Sequence, residues 1–152
     1  MIILATNPIH KKNKINIDMK VTLQSTSAHL QYAGSNDRGQ FLMFDGHKNG
    51  VSPMESLLMA SAACSSIDVE MIMEKMRQKI ENIKVEVEGV RAETHPAVFT
   101  KIHLHYIVEG NIKEEKLQEA LKLSMEKYCS VSVMLKATAD ISHTYEIRQI
   151  QS

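Results

Sequence analysis

Apolar and polar residues alternate along two stretches near the middle of the chain. Between residues 82 and 90, and again between residues 99 and 108, aliphatic and aromatic side chains recur at every second position. Because successive side chains of a strand point to opposite faces, this period of two predicts two strands that each keep one face in water. The other predicted strands cover 20–32, 40–45 and 137–149, and the predicted turns cover 33–39 and 46–50.

The pattern changes at residue 52, where a helix start precedes a long apolar segment. Ser52 can cap the helix, Pro53 suits its first turn, and Glu55 completes an S-x-x-E capping box. The segment that follows is apolar almost all round through Cys64, which is typical of a buried central helix. A second, amphipathic helix is predicted over 114–128, with a break near Cys129 and a restart through 131–135.

The elements follow one another in the order β-β-α-β-β-α-β, which favours an α+β fold with an antiparallel sheet. Residues 19–152 are predicted to form a single domain, which is the usual outcome for a chain of this length. Residues 1–18 are interpreted as an N-terminal extension, because Met19 could itself start the chain. Their apolar stretch is too short, and too early relative to the basic residues, for a secretory signal.

Charge and composition exclude several classes of protein. The chain has 18 basic and 18 acidic residues and no basic stripe, which argues against nucleic-acid binding. No uninterrupted apolar run approaches the roughly 18 residues of a membrane span, so no membrane association is predicted. The two cysteines form no CxxC motif and no disulfide framework, which fits a cytoplasmic protein.

The two cysteines allow two interpretations. Free buried cysteines usually act as small hydrophobic residues, and this remains open. Alternatively, Cys64 and Cys129 lie in helices that pack together, so the thiols could meet and work as a pair. Free N–H groups near Cys129 are then expected to stabilise its thiolate and lower its pKa. A thiol that peroxide oxidises to a sulfenic acid is trapped as a disulfide by a second thiol nearby.

The segments SPMESLLMASAACSSID and EKYCSVSVML resemble the two cysteine motifs of the OsmC/Ohr family of organic hydroperoxide reductases. The resemblance covers nearly the whole chain, and Cys129 follows Cys64 by 65 residues, as in that family. It implies an OsmC-like fold with a long buried central helix, in an intertwined homodimer with two sites at the subunit interface. It also implies that Cys64 is the peroxidatic thiol and Cys129 the resolving thiol. A dithiol or lipoyl-protein reductant would reopen the disulfide, with no cofactor or metal.

The sequence departs from the family's most familiar branch, in which a Glu orients an Arg toward the reactive thiolate. Met54 occupies the Glu position, and Glu55 follows one residue later, about 100° further round the helix. Arg38 is the one arginine before the helix, and it lies in a predicted turn. Ser130 replaces a proline of the second motif. The chain thus resembles a divergent branch without the usual Arg–Glu pair, and Arg38, Glu55 and His143 are its candidate supporting residues.

The histidines add little evidence for a metal site. His103 and His105 share one strand face, but no third ligand has a spacing that would complete a metal site, so both are interpreted as solvent-facing. His143 alternates with Ile141 and Tyr145 on an inward face and is interpreted as a core histidine. A role for His143 beside the thiol pocket is the alternative.

Three hypotheses of function follow from the sequence. The first is a thiol-dependent reductase of organic hydroperoxides that uses Cys64 and Cys129. The second is an OsmC-fold protein that binds a small molecule or lipid, or senses redox state, with little peroxidase activity. The third is a structural dimer with two inert thiols. The missing Arg–Glu pair favours the second, and the reactivity of the thiols separates the first from the third.

Overall fold

The computed structural model describes residues 19–150. Within them the chain divides into two compact units, one ending at Val51 and the other beginning at Ser52. The prediction that 19–152 forms a single domain stays a prediction. The predicted extension over 1–18 lies outside the described residues.

The first unit is a three-stranded antiparallel sheet that consists of β1 (Val21–Ser25), β2 (Gln31–Asn36) and β3 (Phe41–Asp45). The single strand predicted over 20–32 is wrong, because a turn separates β1 from β2. Leu30 adopts a left-handed backbone with φ of 56°, and Thr26 Oγ1 accepts a hydrogen bond from the Ala28 N–H at 3.1 Å. Such local side-chain bonds offer the backbone an alternative to strand pairing.

The second turn of this sheet is shorter than predicted, since β2 continues to Asn36. The Asn36 Oδ1 atom accepts hydrogen bonds from the N–H groups of Arg38 and Gln40, at 3.0 and 3.1 Å. Gly39 supplies the left-handed residue of the turn, with φ of 81°. These bonds close the turn into β3.

One face of this sheet is apolar and exposed. The register sets Leu23, Gly34 and Leu42 side by side. A Cβ atom on Gly34 would lie 3.3 Å from the Phe44 ring and 3.4 Å from Leu23, so the glycine lets these two side chains close over the strand. Val21 and Leu42 on the same face stay exposed.

The second unit opens with helix α1 (Pro53–Lys75), whose start is as predicted. Ser52 Oγ accepts the N–H of Glu55 at 3.2 Å, and the Ser52 N–H donates to Glu55 Oε2 at 2.8 Å. The capping box is therefore complete. Beyond the helix, Arg77 takes a left-handed backbone with φ of 57°, which prevents the helix from continuing.

Among residues 19–150, only one face of α1 is covered, so the prediction of a buried central helix is correct for that face alone. The buried stripe contains Ser61, Ser65, Val69 and Met73. Leu57, Met59, Ile67 and Met71 are exposed. An apolar pattern on both faces predicts burial on both sides, but the described part of the chain covers one of them.

Length and composition alone would allow α1 to cross a membrane. In the structure, 22% of its 18-residue apolar segment is buried. This corrects the expectation that no segment reaches such a length. The same properties are found in core helices of soluble proteins, so they are weak evidence for a span.

The second sheet has the strand order β4 (Asn82–Arg91), β5 (Phe99–Glu109), β6 (Asp140–Arg148). β4 and β5 are antiparallel, as predicted, but β5 and β6 are parallel. The prediction of purely antiparallel sheets is wrong for this pair. The reason is the connection, because β5 and β6 are joined by helices, and a helical crossover returns the chain in the same direction.

The crossover consists of α2 (Glu114–Leu123), a π-helical turn (Ser124–Tyr128) and α3 (Ser130–Leu135). The helix predicted over 114–128 is confirmed, except that its last turn is wider than an α-helix. The predicted restart after Cys129 is also confirmed.

The core of the second unit lies where α1 and α2 cover one face of the sheet. Side chains of α1, β5 and α2 fill it, among them Val69, Met73, Leu104, Tyr106, Val108, Leu117 and Leu121, all fully buried. The alternating residues of β5 point into this core, as the period of two predicts.

Candidate active site

Cys64 and Cys129 reach the same place from different elements. Cys64 lies in the middle of α1 and is partly exposed. Cys129 lies between the π-helical turn and α3 and is fully buried. The wide turn sets its position, because the Cys129 N–H bonds to the Ser124 carbonyl at 2.8 Å, five residues back. Turns of this kind often occur at functional sites.

The two thiols and one carboxylate form a cluster. The Sγ atoms of Cys64 and Cys129 and a carboxylate oxygen of Asp68 all lie within 4.8 Å of one another. Both cysteines are free. The structure thus brings the two thiols close together, as predicted.

Serine hydroxyls surround Cys129. Its thiol donates to Ser132 Oγ at 3.0 Å, and its sulfur accepts the Ser132 N–H at 3.4 Å. The Ser132 and Ser61 hydroxyl oxygens are 3.1 Å apart, which ties α3 to α1. Cys129 therefore caps the N-terminus of α3 with its own sulfur.

The pKa of Cys129 contradicts the expectation from the sequence. Burial raises the pKa of this thiol, and the hydrogen bonds with Ser132 oppose the rise without cancelling it. The neighbouring Cys64 thiol raises the pKa further. The predicted stabilisation by a helix start is present, but the cost of burying a charged sulfur is larger. Cys129 is therefore a protonated thiol at neutral pH.

Below the thiols a buried hydroxyl network connects α1 to β5. Ser65 Oγ donates to the Ser61 carbonyl at 2.9 Å and lies 2.6 Å from the Tyr106 hydroxyl. Tyr106 is completely buried, and its hydroxyl also lies 3.9 Å from Met125 Sδ. Burial raises the pKa of Tyr106 to about 12. The phenol is therefore neutral, and its hydrogen bond with Ser65 links β5 to α1 next to the thiols.

Tyr106→Phe tests the structural weight of this network. We expect a loss of about 1 kcal/mol in the free energy of unfolding, because one buried hydrogen bond disappears while Ser65 keeps its carbonyl acceptor. Urea unfolding at pH 7 measures it.

The pH dependence provides a control for this variant. Because the folded state holds the Tyr106 proton up to about pH 12, the unfolded chain loses that proton first as pH rises above about 10. The stability advantage of the wild-type protein over Tyr106→Phe should be constant from pH 7 to 9 and shrink above pH 10. A difference that stays constant above pH 10 would contradict a raised pKa.

Asp68 was not selected as a candidate site residue from the sequence. It follows Cys64 by four residues, which places both on one side of α1. The Ser124 hydroxyl lies 3.2 Å from Asp68 Oδ2 and donates to it. The spacing of four residues between Cys64 and Asp68 was the sequence signal that could have identified Asp68.

A cleft of about 330 Å³ opens beside the cluster. Asp68, Met71, Ile72, Lys75, Met76, Leu123 and Tyr128 line it. Most of this lining is apolar, so the cleft suits a substrate with a hydrocarbon part.

Two thiols and a carboxylate are also donors that Zn²⁺ accepts in proteins. Cys64, Asp68 and Cys129 are close enough to approach one ion together. A tetrahedral site would need a fourth ligand. The expectation that the protein works without a metal stays a prediction.

The three supporting residues lie in different surroundings. Glu55 is exposed and belongs to the capping box, where the Ser52 N–H lowers the pKa of its carboxyl. Arg38 lies in the turn between β2 and β3 of the first unit, and its Nε donates to Gln40 Oε1 at 3.1 Å. Their roles in catalysis stay predictions.

His143 differs from its predicted place in the core. It is exposed within the chain, and its ring lies nearly perpendicular to that of Tyr106, with 6.5 Å between ring centres. Desolvation by the surrounding protein lowers the pKa of His143, and the charges of the nearby His103 and Lys136 add to this effect. The inward face of β6 thus reaches the edge of the core at this point, and a role for His143 in the reaction stays a prediction.

His103 and His105 bond to the neighbouring strand. His103 Nδ1 lies 2.8 Å from Ser142 Oγ, and His105 Nδ1 lies 2.8 Å from Thr144 Oγ1. Both rings are therefore engaged by hydroxyls of β6, on the face of the sheet away from the thiols.

Comparisons with known proteins agree with the fold and the motifs. The family described as OsmC-like protein matches residues 46–144. Protein YhfA of Escherichia coli (strain K12) is 40% identical over 121 residues, which is 78% of this chain and 90% of that protein. A hypothetical protein of Aquifex aeolicus VF5 has a crystal structure with TM-score 0.80 and 32% identity, covering 88% of this chain and 98% of the other.

A more distant structure shares the fold. The organic hydroperoxide resistance protein OhrB of Bacillus subtilis has a TM-score of 0.58 and 21% identity, and the match covers 86% of this chain and 98% of OhrB. At that identity the likeness carries the fold alone. The match to the family over most of the chain, together with the 40% identity to YhfA, shows that this chain belongs to the OsmC family.

Proposed function

We propose that this protein is a thiol-dependent reductase of organic hydroperoxides. The observation that carries the proposal is the placement of two free thiols within 4.8 Å of each other, beside a mostly apolar cleft. Membership of the OsmC family supports a redox role for the two thiols. The electrons come from the thiols, so the reaction needs a reductant to complete a cycle.

The reaction divides into two steps. The Cys64 sulfur attacks the distal peroxide oxygen, the O–O bond breaks, and the alcohol leaves with a proton, which oxidises Cys64 to a sulfenic acid. The Cys129 sulfur then attacks the Cys64 sulfur, and water leaves as the disulfide forms. A dithiol or a lipoyl protein supplies the two electrons that reopen the disulfide.

The surroundings of the two cysteines support this division of roles. Cys64 is partly exposed and belongs to the helix that carries Asp68, Met71 and Ile72 into the cleft. Cys129 is fully buried, and its raised pKa keeps it protonated at neutral pH. A buried thiol cannot be the first to meet a peroxide, but it can meet the oxidised Cys64.

The cleft supports a substrate with an alkyl or acyl chain. Met71 and Met76 have flexible side chains that adapt to chains of different shape. Asp68 lines the same cleft and lies within 4.8 Å of both sulfurs. A hydroperoxide bound along the methionines would present its O–O group to Cys64.

We further propose a homodimer in which α1 meets its copy. The residues at alternating spacings of three and four on the uncovered side of α1 are Leu57, Ala60, Cys64, Ile67 and Met71. This spacing is the one that two packed helices use. Cys64 lies at the centre of this row of residues, so each site would be completed at the subunit interface.

The proposed location of the protein is the cytoplasm, where reductants are present.

One equivalent of cumene hydroperoxide added to the reduced protein tests the proposed function. We expect the peroxide to be consumed within the time needed to mix a sample by hand. One Cys64–Cys129 disulfide should form per chain. Stopped-flow absorbance follows the peroxide, and peptide mass spectrometry locates the disulfide. Two free thiols after minutes would overturn the proposal.

A ligand-binding protein of the same fold is the second candidate. Among residues 19–150 no lysine or arginine forms an ion pair with Asp68 or a hydrogen bond with either sulfur, so no cation is bonded to the thiol cluster within the described chain. This favours weak peroxidase activity. Co-purification of an apolar ligand, with peroxide consumption no faster than by free cysteine, would identify this candidate as the correct one.

A further inference from the structure

Asp68 lies where a proton must move. Its carboxylate is within 4.8 Å of both sulfurs, and it is one helical turn after Cys64. It also lines the cleft, so a water molecule from the cleft could bridge it to a thiol. Asp68 therefore lines the cleft and lies within 4.8 Å of the reacting pair.

The carboxylate is held on one side and open on the other. Ser124 Oγ donates to Oδ2 of Asp68 at 3.2 Å. Within residues 19–150 no protein donor bonds to Oδ1. Ser124 begins the π-helical turn that places Cys129, so one contact aligns the carboxylate with the buried thiol. An oxygen fixed by one bond and otherwise free is suited to accept a proton.

The resolving step needs such an acceptor. Cys129 is a protonated thiol, and only the thiolate is a nucleophile. The hydroxyls of Ser132 and Ser61 bond to Cys129 or to each other and cannot accept its proton at neutral pH. Among the described groups next to Cys129, the carboxylate is the one base.

We propose that Asp68 accepts the proton of Cys129 as its sulfur attacks Cys64 and then passes that proton to the departing group. With a sulfenic acid at Cys64, the S–O bond breaks, the S–S bond forms, and the proton leaves Asp68 with the hydroxide as water. Atoms balance, and Asp68 returns to its starting state. The inference rests on the proposed function for this substrate, although the same proton transfer operates on any mixed disulfide at Cys64.

The negative charge of Asp68 also has an effect on the thiols that opposes its role as a proton acceptor. The experiment must distinguish the two effects. A negative carboxylate near a thiol disfavours the thiolate, so an inhibitory role predicts faster reaction when Asp68 is neutralised. The groups that face Asp68 are the two thiols, the Ser124 hydroxyl and, through the cleft, Lys75 and Tyr128. Tyr106 below the thiols stays neutral and does not compete for the proton.

The test uses the aromatic disulfide DTNB, which needs no peroxide. DTNB forms a mixed disulfide at Cys64 and releases one thiolate dye; attack by Cys129 releases the second. Because the dye leaves without a proton, the second phase reports removal of the Cys129 proton alone. We expect Asp68→Asn to slow the second phase about 10²-fold at pH 7. Glu70→Gln, an exposed neutralisation on the same helix, is the matched control and should leave it unchanged.

The pH profile distinguishes proton transfer from a structural role. With Asp68 present the second phase should depend weakly on pH between 6 and 8, whereas in Asp68→Asn it should rise about tenfold per pH unit, because hydroxide must make the thiolate. A uniform slowing at every pH, an unchanged rate or a faster rate would overturn the proposal. Far-UV circular dichroism and thermal unfolding confirm that each variant is folded.

A second variant tests the same proton transfer without the asparagine side chain of Asp68→Asn. Asp68→Ala opens a space beside the cleft that formate can enter. We expect formate, but not chloride, to restore the second phase in proportion to its concentration. Absence of rescue in a folded Asp68→Ala protein would count against a proton acceptor at this position. If wild-type protein shows the two DTNB phases but consumes no peroxide, the proposed function fails while the inference about Asp68 stands.

Discussion

Cys64→Ser is expected to reduce cumene hydroperoxide consumption to the rate measured without protein. The thiolate of Cys64 is the proposed nucleophile, and a serine hydroxyl at the same place cannot form the sulfenic acid. Cys129 cannot replace it, because it is fully buried and its raised pKa keeps it protonated. The measurement is loss of peroxide with dithiothreitol as the reductant. Ser66→Ala, a similarly small change two residues along α1, is the matched control and should keep full activity.

Cys129→Ser should separate the two steps. The variant is expected to consume one equivalent of peroxide and then hold a sulfenic acid on Cys64, which dimedone captures for mass spectrometry. Full turnover by Cys64→Ser, or a dimedone adduct on Cys129 in that variant, would reverse the assignment of the nucleophile. Loss of the first step in Cys129→Ser would instead show that the serine disturbs the site, because Cys129 also caps α3.

The sequence predicted local structure correctly at positions where the residue type has a single physical role. Ser52 and Glu55 can satisfy free N–H groups at a helix start and nowhere else nearby, and the capping box is present as predicted. Alternation in β4 and β5 fixed which side chains face the core. Alternation does not determine the direction of the neighbouring strand, which is why the parallel pairing of β5 with β6 was missed.

Chemistry at the site depended on burial that no local pattern reveals. The start of a helix after Cys129 suggested a lower thiol pKa, but desolvation in the interior raises it. Asp68 was overlooked for a related reason. A carboxylate on a helix is usually solvated, and only the π-helical turn with Ser124 and Cys129 makes this one part of a site. His143 shows the converse, since its inward position in β6 ends at the exposed edge of the core.

Ile67→Lys is expected to convert the protein from a dimer to a monomer. Ile67 is 57% exposed within the chain and lies between Cys64 and Met71 on the uncovered apolar stripe of α1. If α1 packs on its copy there, the substitution places two lysines in a dry interface without partners, and each costs several kcal/mol. Sedimentation velocity or light scattering at several protein concentrations measures the mass.

A matched control separates the stripe from general exposure. Met59 is 56% exposed on the same helix but lies outside the spacing of the stripe, so Met59→Lys should remain dimeric. Ile67→Lys should also lose peroxide turnover, because the interface that shelters Cys64 opens to water, while Met59→Lys keeps it. A wild-type protein of monomer mass, or an Ile67→Lys protein of unchanged dimer mass, would show that the apolar face of α1 does not bind its copy. The exposed face of α1 would then be the surface on which to seek the ligand of the second candidate function.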